Sequence, residues 1–259
     1  MAPFTVATFN ANSIRVRLPQ ILAWLERVQP DALGVQETKA QDEDFPQAAI
    51  EDAGWHVVFR GEKSYNGVAL ITREPAEEVR FGFDDGTEGP RLIRAVVRGV
   101  HLVNSYVPQG KTIDHEDYQT KLAWLGRIRE LLAAHYTPKD PLVWMGDLNV
   151  APEPIDVHDP QGLADHVDFH IDVRERLAEV CSWGLVDLLR HHHPDELGLY
   201  TYWDYRARNP IPEGKGWRID HLMVTQPLAE RSTKVWIDVE ARLAERPSDH
   251  TFLVGEFEL

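Results

Sequence analysis

The chain has 259 residues, 43% apolar and 27% charged, with one cysteine and a formal net charge of −15 at pH 7. This is the balance of a globular protein long enough to bury a substantial core without disulfides, and the lone Cys181 rules out an intrachain bridge and fits a reducing compartment. The acidic excess excludes a surface that binds a polyanion over its whole extent; it leaves carboxylates for holding a divalent cation and basic loops set locally on an acidic body.

Phe4–Phe9 is short and β-prone and has neither the basic nor the apolar region of a secretion signal. No run approaches the ~18 apolar residues of a spanning helix, so the expectation is a soluble, cytoplasmic protein that makes no membrane contact. Leu18, Ile21, Leu22, Leu25 and Val28 recur at helical spacing, and Pro30 ends that helix. Ala32–Gln36 reads as a buried strand. Trp55–Arg60 and Val68–Thr72 form a pair with a turn at Asn66-Gly67, and Leu92–Val97 and Val100–Val107 a second pair joined near Gly99. Asp114–Tyr136 places Tyr118, Leu122, Leu125 and Leu132 on one helical face. Leu142–Met145 is a strand, Val173–Trp183 a helix, and Ile219–Thr225 and Phe252–Phe257 are strands. No repeat or linker divides the chain, which predicts one domain over residues 1–259, built as two packed sheets flanked by helices.

Polar residues close these strands again and again. Asn10 follows the first, Gln36-Glu37 the second, Asn104 and Tyr106 lie at the end of Val100–Val107, and Asp147 and Asn149 follow Leu142–Met145. Asp220-His221 lies within Trp217–Val224, and Ser248-Asp249-His250 precedes the last strand. A side chain at a strand end reaches a shared cleft while its backbone stays anchored in a sheet. Each piece alone reads more readily as a turn or cap; six on one chain suffice for a site. Hard carboxylate oxygens suit Mg²⁺, a carboxylate can take a proton from water, and a His beside a carboxylate keeps one tautomer and gains imidazolium character. Cys181 is expected to pack in mid-helix. His191-His192-His193 is expected at a surface helix end, because consecutive helical residues do not face one another.

Taken together, Asn10, Gln36-Glu-Thr-Lys39, Tyr106-Val-Pro-Gln-Gly110, Gly146-Asp-Leu-Asn149, Tyr200–Arg206, Gly216-Trp-Arg-Ile-Asp220 and Ser248-Asp-His250 resemble the exonuclease III family of abasic-site endonucleases, within the endonuclease/exonuclease/phosphatase superfamily. The resemblance runs from Phe4 to Phe257. It departs at Ser13-Ile14, where many members have Gly-Leu, and in the two prolines of Asn209–Lys215. It implies a four-layer α/β/β/α sandwich with the site at one edge of the paired sheets. It also implies Mg²⁺, with Mn²⁺ able to substitute, held mainly by Glu37 with Asn10, Asp147, Asn149 and Asp249 around it. Asp147 is then the group that orients and deprotonates water, Asn149 and Tyr106 hold the phosphate, and His250, oriented by Asp220, donates to a non-bridging oxygen. The implied partner is double-stranded DNA carrying abasic sites or 3′ ends, bound by a monomer. Basic and aromatic residues mixed on loops, Arg15, Asn66, Arg91, Tyr202, Arg206, Trp217 and Arg218, are expected to contact it. The rival readings are a phosphodiesterase or phosphatase of the same superfamily acting on lipid headgroups, and a catalytically dead nucleic-acid scaffold. The first calls for an exposed apolar loop and the second for a missing ligand, and the sequence has neither.

Overall fold

The computed structural model describes residues 3–208 and 210–259. In chain order it has β1 (Phe4–Asn10), α1 (Ile14–Val28), β2 (Ala32–Gln36), α2 (Gln47–Asp52), β3 (His56–Arg60), β4 (Val68–Thr72), β5 (Glu77–Phe81), β6 (Leu92–Val97) and β7 (Val100–Tyr106). There follow α3 (Glu116–His135), β8 (Leu142–Asp147), α4 (Ile171–Cys181), β9 (Leu185–Asp187), α5 (Leu188–His192), β10 (Asp220–Thr225), α6 (Gln226–Ala229), β11 (Ser232–Asp238) and β12 (Phe252–Phe257).

The strands form two six-stranded sheets, β11-β12-β1-β2-β4-β3 and β5-β6-β7-β8-β10-β9. Each mixes parallel and antiparallel pairs: β1 is parallel to β2 and β7 to β8, while the other ladders are antiparallel. Phe4 and Val6 of β1, Leu70 of β4, Val143 and Met145 of β8 and Leu222 of β10 meet in one apolar core between the sheets. The alternate residues face outward. Ala7, Phe9, Leu33 and Val35 pack under Ile21, Trp24 and Leu25 of α1, and Leu142 and Trp144 pack under Leu125, Ile128 and Leu132 of α3 with Val173 and Leu177 of α4. Central strands buried on both faces read as unbroken apolar runs, which is why β1, β2, β4 and β8 are buried along their whole length. The expected four-layer α/β/β/α order is the observed one. No helix among the described residues is long and apolar enough to cross a membrane.

The connections put the polar strand ends on one edge. Asn10 pairs with Gln36 at the carboxyl ends of β1 and β2, and Tyr106 pairs with Asp147 at the carboxyl ends of β7 and β8. Asp220, the first residue of antiparallel β10, pairs with Asp147. β12 runs antiparallel to β1, so the residues just before it arrive at the same edge. Gly146, in the Gly146-Asp-Leu-Asn149 turn, has φ +141, and a Cβ there would come within 1.8 Å of the Ser105 carbonyl oxygen. Only glycine lets β7 and β8 close so tightly before Asp147.

Two of the strand-end residues turn inward. Gln36 donates to Asn104 Oδ1 (2.6 Å) and Thr8 Oγ1 (2.9 Å), and Asn104 donates to the carbonyls of Val35 and Ala69. They are a buried polar tie between the sheets. Cys181 is the last residue of α4, half-buried, its thiol pushed up to about 12 by burial and by nearby Asp187. His191–His193 close the short α5, His192 bonded to Ser232 and His193 to Glu196.

Candidate active site

A cavity of about 560 Å³ opens at this edge, bordered by Glu37, Tyr106, Asp147, Asn149, Asp249 and His250 together with Tyr202, Arg206, Lys215 and Trp217. Strained backbone gathers at and beside it. Glu37, Lys39 and Asn149 hold left-handed backbone (φ 48, 50 and 50), as does Ser13 (φ 95) beside Asn12 (φ 44). Non-glycine residues stay in that region only where their surroundings over-determine them, and such residues concentrate at functional sites. The turn at Glu37 swings its carboxylate off the end of β2. Ser13 stands where glycine would be unstrained.

Asn10 bridges two carboxylates. Its amide nitrogen donates to Glu37 Oε1 and Asp147 Oδ2, both at 2.8 Å, while its Oδ1 accepts the Asn12 N–H at 2.9 Å. Asn10 thus aligns the two carboxylates that its amide nitrogen faces. Lys39 pairs with Glu37 at 2.7 Å. Burial would raise the Glu37 carboxyl, but Lys39 and the Asn10 amide hold it below its ordinary value. The Tyr106 hydroxyl bonds Glu37, and burial together with the Glu37 and Asp147 charges pushes its pKa well up, so it remains a neutral donor.

Asp147 is fully enclosed. Burial, then Asp220 and Glu37, raise its pKa, opposed by His250. A carboxylate raised in this way suits a general base near neutral pH. His250 Nδ1 lies 2.8 Å from Asp220 Oδ2 and its Nε2 3.7 Å from Asp147 Oδ2. Burial alone would lower the imidazole, but the Asp220 and Asp147 carboxylates outweigh it and lift it well above its usual value. The ring therefore carries its proton and presents Nε2–H toward the cavity. Asn149 is held at three points: its N–H donates to Asp147 Oδ1, its Nδ2 to the Val107 carbonyl, and its own carbonyl is bonded by Lys121. Its Oδ1 is left for a ligand.

Glu37, Asp147, Asn149 and Asp249 present hard oxygens around one space, and the mutual repulsion that raises Asp147 is relieved by a cation. The donor set thus fits a hard divalent ion. Asp147, Asp220 and His250 also lie within ligand distance of one another, but an ion among them would have to break the 2.8 Å Asp220–His250 bond. The open side at Glu37 fits better.

The residues expected to touch a polymer substrate divide. Tyr202, Arg206 and Trp217 border the cavity, Tyr202 with its ring 4.9 Å from that of His250. Arg206 is exposed beside Asp204. Trp217 is almost buried, its ring 4.5 Å from His166 and 6.1 Å from His158. Asn66 sits on the rim loop, its carbonyl accepting from Lys39 N–H. Arg91 stacks 4.8 Å over the Tyr106 ring and bonds the Tyr106 carbonyl. Arg15 is exposed in the first turn of α1. Arg218 corrects the expectation. It is 0% exposed and bonds Asp156 through two nitrogens (2.7 and 2.9 Å), Asp187 at 2.7 Å and His221 at 2.9 Å. It cannot reach a substrate; it braces the strand that carries Asp220.

Leu163, His166 and Asp168 border the cavity without having stood out in the sequence. They lie on loops with no strand-end pattern to mark them. Lys121 did leave a signal, a charge three residues after Tyr118 and four before Leu125 on the apolar face of α3, and it is fully buried there.

The Endonuclease/Exonuclease/phosphatase family pattern matches residues 7–250, and the chain belongs to that family. It is 32% identical to exodeoxyribonuclease III of Haemophilus influenzae across 96% of this chain and 98% of that protein. Its fold superposes on an AP endonuclease of Archaeoglobus fulgidus with a TM-score of 0.97 at 47% identity, covering 99% of this chain and all of the other. It also superposes on a 3′-5′ exonuclease of Neisseria meningitidis with a TM-score of 0.93 at 35% identity, again over 99% and all of the respective chains.

Proposed function

We propose that the protein is a magnesium-dependent DNA-repair nuclease, cutting the backbone at abasic sites and removing nucleotides from 3′ ends, and that it works as a cytoplasmic monomer. The observation that carries this reading is the Glu37–Asn10–Asp147 chain of hydrogen bonds beside the Asp147–His250–Asp220 cluster, at a cavity that Tyr202, Arg206 and Trp217 also line. Full-length similarity to exodeoxyribonuclease III and to AP endonucleases supports it.

Glu37, Asp147, Asn149 and Asp249 would hold the ion, which when bound supplies Lewis acidity at a phosphoryl oxygen. The rest follows from side chains. Asp147 orients water and takes its proton as the new oxygen–phosphorus bond forms. Tyr106 and His250 donate to the non-bridging oxygens as charge builds there. The bond from phosphorus to the 3′ oxygen breaks and that oxygen takes a proton from solvent, leaving a 3′ hydroxyl and a 5′ phosphate. The lipid-headgroup alternative has no use for the ring-and-arginine wall.

The test is digestion of a labelled duplex with one abasic analogue beside a small chromogenic phosphodiester. EDTA should abolish both reactions, with the circular dichroism unchanged because the core is apolar and independent of the ligands, and Mg²⁺ or Mn²⁺ should restore them. Trp217→Ala should weaken duplex cleavage by about 5- to 150-fold, since a ring against a nucleotide is worth roughly 1–3 kcal/mol, and leave the small substrate nearly unaffected. Full activity in EDTA would overturn the metal assignment; equal losses on the two substrates would make Trp217 a packing residue only.

A further inference from the structure

Lys121 is the one lysine whose side chain is wholly enclosed among the described residues. Its ammonium lies 2.6 Å from the Asn149 carbonyl, 3.1 Å from that of Gln109, 3.0 Å from that of Val167 and 2.7 Å from Asp168 Oδ1. A buried charge is tolerated only when paired and fully hydrogen-bonded, and here three protons meet four acceptors. Those acceptors come from three separate segments, and Gln109, Asn149 and Asp168 each border the active cavity. The chain bends to permit this. Gly110 has φ +92, and a Cβ on it would come within 3.2 Å of Lys121 Cδ and 3.0 Å of Val167 Cγ2.

Asn149 gives the arrangement its point. It is a non-glycine residue at φ 50 that borders the cavity, with its amide nitrogen turned to the Val107 carbonyl. Such a backbone costs roughly 1–3 kcal/mol and needs external support. Asp147 fixes its N–H and Val107 its amide nitrogen; Lys121 alone fixes its carbonyl through a side chain.

We propose that Lys121 is a positioning residue for catalysis: from beneath the site it locks Asn149, and with it the Gln109 and Asp168 loops, in the geometry that receives the scissile phosphate. It touches no substrate. The proposal rests on phosphodiester hydrolysis at this cavity, so wild type is measured in the same assay; inactive wild type would refute that reading, whereas active wild type isolates the role of Lys121.

The experiment compares Lys121→Met with Leu125→Ala, a core truncation one turn along the same helix, at saturating Mg²⁺ on an abasic duplex. Lys121→Met should lower kcat by about 10- to 100-fold, the usual cost of losing a group that orients a ligand, with KM within threefold. Leu125→Ala should lose melting temperature but hold kcat within threefold. Unchanged kcat in Lys121→Met, or an equal kcat loss in Leu125→Ala, overturns the proposal. If Lys121→Met does not fold, Asp168→Asn decides. It removes the counter-charge that anchors the ammonium and should lower kcat about three- to tenfold at constant KM, with a shifted Asn149 side-chain amide resonance. Wild-type kcat with an unmoved Asn149 resonance would refute the assignment.

Discussion

Asp147→Asn should lower kcat on an abasic duplex by about 10²–10⁴, the usual cost of losing a general base, while KM changes little and the protein stays folded. The substitution keeps the shape and one of the two accepted hydrogen bonds, from the Asn10 amide or the Asn149 N–H, but removes the group that takes the proton. Asp147 sits where β8 ends, bonded to the Asn10 amide and the Asn149 N–H and near His250, so no other carboxylate can move into its place. Its neighbours make a second readout. Asp220 and His250 share one 2.8 Å bond, and groups that act as a unit are non-additive in kinetics. The double variant Asp220→Ala/His250→Ala should therefore be little worse than His250→Ala. Multiplicative losses would separate the two roles, and near-wild-type turnover of Asp147→Asn would place the base elsewhere.

Arg218→Ala should be the most damaging single change to stability, at about 3–5 kcal/mol, the cost of stripping one partner from a buried ion pair. At ~2–4 °C per kcal/mol for a chain this large, the melting temperature should fall by roughly 10 °C. The guanidinium is sealed against Asp156 and Asp187, with Arg190 also on Asp156. It further bonds His221, which burial and Arg218 together lower to about 4. That imidazole is neutral, accepting from Arg218 at Nδ1 and donating from Nε2 to the Val150 carbonyl at 2.8 Å. The network therefore reaches the residue next to Asn149. Burial would raise Asp156, but Arg218 and Arg190 hold it below its ordinary 3.8. A depressed carboxyl contributes stability that is present above pH ~4, its unfolded value, and is lost as pH falls through the lower folded value. Wild type should thus lose this contribution only below pH 4. Asp156→Asn should be weaker than wild type throughout the neutral range and flatter in acid. Thermal melts between pH 3 and 7 measure both, and an Arg218→Ala variant as stable as wild type would contradict the network's role.

The sequence reported the middle of this fold better than its edges. β1, β2, β4, β6, β7, β8, β10 and β12 are apolar runs because both their faces are covered. The strands it did not mark, β5, β9 and β11, are all at sheet edges. There Glu77-Glu78-Val-Arg-Phe81 and Ser232-Thr-Lys-Val-Trp-Ile-Asp238 carry charges that discourage edge pairing and also erase the apolar pattern, and β9 is only three residues long. The site was legible for the same reason as the core: Asn10, Glu37, Tyr106, Asp147 and Asp220 sit at or beside the ends of strands, so finding the strands located them. What the sequence could not convey was direction. Gln36 and Asn104 lie at strand ends as well, yet turn between the sheets. Arg218 is flanked by Trp217 and Ile219 in a loop rich in rings and bases, yet the extended backbone there points it at Asp156. Lys121 shows the converse, a charge on an apolar helical face, three of whose four partners are backbone carbonyls with no side-chain signature.

The central claim is that this cavity hydrolyses the DNA backbone by direct attack of water at phosphorus. It is tested most directly by the ends the enzyme leaves on a 5′-labelled duplex carrying one abasic analogue, incubated with Mg²⁺. Cleavage should fall immediately 5′ to the lesion and leave an upstream strand that a DNA polymerase extends without further treatment, because its end is a 3′ hydroxyl. An upstream strand that cannot be extended until a phosphatase has acted, or an uncut duplex under conditions where a phosphoinositide is hydrolysed, would contradict the account.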